Sequence, residues 1–115
     1  MVTTPPFSNL TVTAIDYIKA AINTGIEITG VFFYQDGVSN ANKQVSIASD
    51  EFQAINHWQE LHDKYDLKLH LCYTAAEKRG MNDENSKDLL HDFFIVSGLG
   101  ELVELTTQAD RVVQL

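Results

Sequence analysis

The chain has one cysteine, two prolines and only eight basic residues in 115. Each shortage excludes something. A lone thiol, Cys72, rules out an internal disulfide framework and any multi-cysteine zinc or iron–sulfur site. Eight Lys and Arg stand against sixteen Asp and Glu, a formal net charge of −8 with a pI near 4.7. Binding nucleic acid directly, or docking on an anionic bilayer, takes a basic face toward phosphate, so neither partner is expected. No apolar run approaches the length that spans a membrane. The first basic residue is Lys19, which leaves no basic opening for a secretory signal and points to a cytoplasmic protein. What is present suffices for a core: 44% of residues are hydrophobic, and this length suits a single domain over residues 1–115.

Helix-like and strand-like segments alternate, without repeats or low-complexity tracts. Ile15, Ile18 and Ile22 recur at helical spacing in a helix that begins by about Asn9, and Thr24-Gly25 supplies its left-handed stop. Ile26 to Phe33 reads as a strand, and its unbroken Val31-Phe32-Phe33 suits burial on both faces of a parallel sheet. A polar loop follows from Gln35 to about Ser49. Asp50 and Gln53 have the spacing of a capping box, opening a helix whose apolar face is Phe52, Ile55, Trp58, Leu61 and Tyr65. Leu67, Leu69 and Leu71 alternate with Lys68, His70 and Cys72, which is strand patterning.

Thr74 and Glu77 form a second capping box, and Gly80 closes the short helix that it starts. Met81 to Lys87 reads as a loop. Phe93 to Val96 reads as a buried strand, Ser97-Gly98-Leu99-Gly100 turns into a helix through about Thr107, and Arg111 to Leu115 reads as a last strand. This order predicts an α/β domain with a mainly parallel sheet. Only Met1 to Thr4 precede Pro5-Pro6, so the opening strand is expected to be short or missing.

In such sheets, ligands and reactive groups gather beyond the carboxyl ends of the strands. Cys72 falls there, at a strand end and just before a helix, where free N–H groups and the helix dipole favour a thiolate. The competing reading is a small buried hydrophobe, the commonest role of a free cysteine. Lys68 and His70 share its strand face but lie roughly 7 to 14 Å away along the strand, so spacing alone makes neither a general base. His57 and His62 are five apart and do not share a helix face, and His70 and His91 stand alone. All four read as solvated surface histidines rather than metal ligands. Gly98-x-Gly100 begins a dinucleotide fingerprint, but Val103 occupies the third glycine position. Ser97 lacks the flanking glycines of a nucleophile elbow. Asp83-Glu84 and Asp88 read as a solvated face.

The stretches around Cys72 resemble the DsrE-like sulfurtransferase family. They are Val31-Phe32-Phe33-Tyr34 with Asp36-Gly37-Val38, Asn40-Ala41-Asn42, Ala48-Ser49-Asp50-Glu51-Phe52, Trp58, and Cys72 through Ala75-Ala76 to Arg79-Gly80. Ser97-Gly98-Leu99-Gly100 and the closing Asp110-Arg111-Val112-Val113-Gln114-Leu115 continue the match in order. The resemblance implies a three-layer α/β/α sandwich and a persulfide carried on Cys72, with no cofactor and no metal. It is closest to the branch serving the sulfur relay for 2-thiolation of the tRNA wobble uridine. That branch implies a heterohexamer with TusB-like and TusC-like subunits, a TusA-like sulfur donor and a TusE-like acceptor. An isolated chain is expected to form a homo-oligomer. Three other readings stand beside it: a DsrE subunit of a sulfur-oxidation complex, an assembly subunit in which Cys72 is merely packed, and a flavodoxin-like small-molecule binder.

Overall fold

Helix α1 (Asn9–Asn23) turns Ala14, Ile15, Ile18 and Ala21 inward, at the spacing of one helical face. Ser8 caps it by accepting a hydrogen bond from the Leu10 N–H, and Gly25, at φ +85°, turns the chain away beyond Thr24. The computed structural model describes residues 1–81 and 87–115. After α1 come β1 (Val31–Phe33), a 3-10 helix (Gln35–Ala41), α2 (Ala54–Tyr65) and β2 (Leu69–Cys72). Then follow α3 (Tyr73–Lys78), a single 3-10 turn (Lys87–Leu89), β3 (Phe94–Ser97) and α4 (Leu99–Gln108). The polar stretch expected as a loop after Met81, with Asp83-Glu84, lies outside the described residues.

The three strands are parallel and ordered β1-β2-β3, so β2, which ends in Cys72, is central. Phe33 pairs with Leu71, Leu71 with Val96, and Cys72 with Ser97. Phe33 meets Trp58 of α2 edge-on at 5.0 Å and Phe94 at 5.2 Å, and this aromatic group fills the face that α1 and α2 cover. On the other face α4 approaches, with Leu105 close to Gly30 and Glu101 beside His70. Helices on both faces of a parallel sheet make the expected α/β/α layering.

The opening strand is a single bridge, Val2 paired in parallel with Phe33, before Pro5 and Pro6 end it. Arg111–Leu115 does not form the expected strand. Only its end joins the sheet: Leu115 donates to the Met1 carbonyl and accepts from the Thr3 N–H, and the Met1 amino group donates to the Val113 carbonyl. The two termini therefore extend the sheet together, Leu115 outside Val2 and Val2 outside β1.

Other expectations also needed correction. Strand β1 covers the last three residues of Ile26–Phe33; Ile26 stays 59% exposed, because no neighbouring strand extends to meet it. All four residues of β2 are buried, His70 included, since α4 covers the face that alternation assigned to solvent. Asp50 caps nothing. Gln53 occupies the cap of α2, and its side-chain amide donates to the carbonyls of Ile47, Ala48 and Glu51, so it ties down the preceding turn. Tyr65 is exposed at the last turn of α2, with the Lys64 ammonium over its ring at 5.3 Å. Thr74 lies inside α3, whose cap is Cys72 itself.

Candidate functional site

Strand β2 runs straight into α3, so the last strand residue is also the first helix cap. Cys72, still extended at φ −64° and ψ 118°, places Sγ where the Ala75 N–H can reach it, at 3.5 Å. An N–H aimed at sulfur is a contact that suits a thiolate better than a thiol. Two side chains hold this cap in place. Arg79 donates from Nη1 to the Ala75 carbonyl and from Nη2 to Asp36 Oδ1, each at 3.0 Å, linking α3 to the 3-10 helix beyond β1. Asn40 in that 3-10 helix is buried, accepting from the Trp58 indole N–H at 3.0 Å and donating to the carbonyls of Thr4 and Gly37. The Asp36-Gly37-Val38 and Asn40-Ala41-Asn42 stretches thus wall the carboxyl end of the sheet rather than forming an open loop.

Enclosure is the consequence. Cys72 is fully buried, in one core cluster with Ala75 and Ala76 of α3 and Val38 and Ala41 of the 3-10 helix, so a strand-end position alone does not give access.

Sequence reasoning missed the neighbours of Cys72 across the sheet. Ser97 stands opposite Cys72 in register, on the same sheet face, with backbones about 4.8 Å apart. The Ser97 hydroxyl lies 3.0 Å from His70 Nδ1, and His70 Nε2 faces Glu101 of α4 at 3.8 Å. Burial holds the imidazole of His70 below its ordinary pKa; Lys68 acts in the same direction and Glu101 opposes it. A signal did exist: His70 and Cys72 are two apart on a strand, and Ser97 ends the next strand before a helix. Finding the group needed the register, which no spacing supplies.

The other histidines also depart from the solvated reading, since none of the four is fully exposed. His57 stacks on Phe52 and receives Lys19 Nζ at 2.8 Å; burial, then that lysine, lower its pKa. His62 Nδ1 lies 3.0 Å from the Leu67 carbonyl, and His91 packs beside Phe93. Among the described residues, no group of three or more His, Cys, Asp and Glu is placed to hold a metal ion. A groove of about 660 Å³ opens between α1, α4 and the C-terminal segment, along Ile26–Phe32. It lies toward the amino ends of the strands, away from Cys72, at the end where α/β sheets do not place their ligands.

Known proteins share this fold over nearly the whole chain. The solved YchN protein from E. coli superposes with a TM-score of 0.81 over 99% of this chain and 93% of that one, at 19% identity, which shows the common fold. Sulfurtransferase TusD of Cronobacter sakazakii is 41% identical over 99% of this chain and 95% of its own length. The putative sulfurtransferase DsrE of Allochromatium vinosum is 43% identical over 87% of this chain and 82% of its own. TusD of Klebsiella pneumoniae is 42% identical over 85% and 82%. The model of the DsrE/DsrF-like family matches residues 1–115, and the chain belongs to that family.

Proposed function

We propose that this chain is a sulfurtransferase of a sulfur relay, carrying sulfur on Cys72 as a persulfide. One observation carries the assignment of the residue: the sole thiol of the chain caps α3 at the carboxyl end of the central strand, with a backbone N–H on its sulfur. Sulfur transfer begins with a thiolate attacking the outer sulfur of a donor persulfide, so a sulfur that meets an N–H donor is suited to the step. With no second thiol in the chain, a Cys72 persulfide has no internal route to a disulfide, and its sulfur leaves on another protein. The TusD relatives favour the relay for 2-thiolation of the tRNA wobble uridine. In this reading a TusA-like protein donates, a TusE-like protein accepts, and TusB-like and TusC-like subunits complete the assembly in the cytoplasm. The net charge of −8 agrees with a subunit that meets proteins and leaves the RNA to others.

Two rival readings each have one observation. The similarity to DsrE of Allochromatium vinosum favours the same chemistry with sulfur-oxidation partners. The full burial of Cys72 favours a packed structural cysteine. Replacing Cys72 with serine separates carrier from packing. Transfer from a persulfidated donor, read as a reductant-labile gain of one sulfur in intact mass, falls to background while the fold persists. A serine variant that still gains the sulfur removes Cys72 from the chemistry. Alkylation of the native protein by a bulky maleimide adds a second check: a carrier reacts as its cover opens, whereas a packed cysteine reacts only on unfolding.

A further inference from the structure

We propose that Ser97 and His70 form the proton path of Cys72, with Glu101 facing the imidazole to hold its charged form. The inference rests on the carrier reading of Cys72 and adds to it the groups that move its proton. These groups lie together across β2 and β3, with Sγ of Cys72 itself meeting the Ala75 N–H. Cys72 and Ser97 are register partners on one face, Ser97 Oγ lies 3.0 Å from His70 Nδ1, and His70 Nε2 looks toward Glu101 at 3.8 Å. The Ser97 hydroxyl also lies 3.3 Å from the Ile95 carbonyl, so its single proton has two acceptors to choose between.

A buried cysteine needs such a path because its thiol proton has no water to go to. Phe32 of β1 and Ile95 of β3 flank His70 in register, and neither titrates. The charged groups acting on the imidazole are Glu101 from α4 and Lys68 from its own strand segment. Burial favours the neutral ring, which is the form that accepts a proton.

The step balances without any further reagent. As the Cys72 sulfur bonds to the outer sulfur of R–S–SH, its proton passes to Ser97 Oγ and the hydroxyl proton of Ser97 passes to His70 Nδ1. The donor S–S bond breaks with its electron pair on the inner sulfur, and His70 returns the proton along the same path to that departing thiolate. The sum is Cys72–SH + R–S–SH giving Cys72–S–SH + R–SH, with no net oxidation. Ser97 is the register neighbour of the reacting thiol, its hydroxyl turned toward His70 in this structure, and it has to swing toward Sγ to take the proton; His70 and Glu101 act through it as positioning residues.

The experiment is single-turnover transfer from glutathione persulfide to the full chain, followed by intact mass against pH. The His70→Asn variant is expected to lose about 100-fold in rate near neutral pH, the usual scale of acid–base assistance. The loss should shrink as pH rises, because direct ionisation of the thiol bypasses the relay. Ser97→Ala should give the same profile. Glu101→Gln should move the acid limb to lower pH, since an imidazolium without its carboxylate loses its proton more readily. Glu101 is partly exposed on α4, so this variant decides the matter even where His70→Asn fails to fold. Wild-type rate and profile in the Ser97 and Glu101 variants would overturn the proposal, as would an equal loss at every pH, the mark of packing alone. A wild-type chain that takes up no sulfur refutes the carrier reading itself, and the proton path with it.

Discussion

At the scale of the residue, burial more than formal charge sets the direction in which three of the histidines titrate. His57, His70 and His91 all bind protons less readily than an imidazole in water, burial being the first cause in each. Lysines add to it, Lys19 at His57, Lys68 at His70 and Lys43 at His91. The sign of the consequence follows from proton counting. Below the ordinary value of 6.5 the unfolded chain binds protons that the folded chain refuses, so stability falls as pH falls through that region and is level above it. The thermal midpoint is therefore expected to drop between about pH 7 and about pH 5, and His70→Asn is expected to flatten part of that slope. A midpoint that holds level or rises over the interval contradicts the reading of these sites.

At the scale of the element, the sequence located the helices and the parallel order but not where strands stop or what caps the helices. Thr74 and Glu77 match a capping box as well as any pair, yet β2 passes into α3 with no connecting residue, which leaves Cys72 as the cap. Alternation in Leu67–Cys72 revealed a strand; that both its faces are covered depends on α4, whose docking no local pattern encodes. Cys72 itself was legible from its position after a strand and before a helix. Its enclosure and its neighbour Ser97 were not, because both arise from segments distant in sequence. Gly37 shows the same dependence at one position. A Cβ there would run into the Val2 carbonyl, the very group that accepts from the Tyr34 N–H. Gly37→Ala is thus expected to push Met1–Thr3 off β1, releasing Leu115 as well, at a cost of about 1–3 kcal/mol. Urea unfolding checks this, and a change smaller than about 0.5 kcal/mol, the range of neutral surface changes, would show that the termini adjust freely.

At the scale of the whole molecule, the two edges of the sheet are unlike. One edge is closed by the paired termini, Val2 against Phe33 and Leu115 against Met1 and Thr3. At the other, β3 has only β2 as a partner among the described strands, and it presents Ile95 and Val96 at 42% and 39% exposure. The helix that follows is equally uncovered: α4 buries none of its residues fully, and Leu99 and Val103, one turn apart, are 48% and 62% exposed. An apolar edge strand beside an apolar helix face is a surface that a stable monomer seldom leaves open. The chain is therefore expected to associate, with itself when isolated. Light scattering at micromolar concentration should give a mass well above the 12.9 kDa of one chain. Val103→Lys should lower that mass toward the single chain without changing the helical content, because the side chain is already in solvent. A mass near 12.9 kDa for the unaltered protein would mean that β3 and α4 tolerate water as they stand.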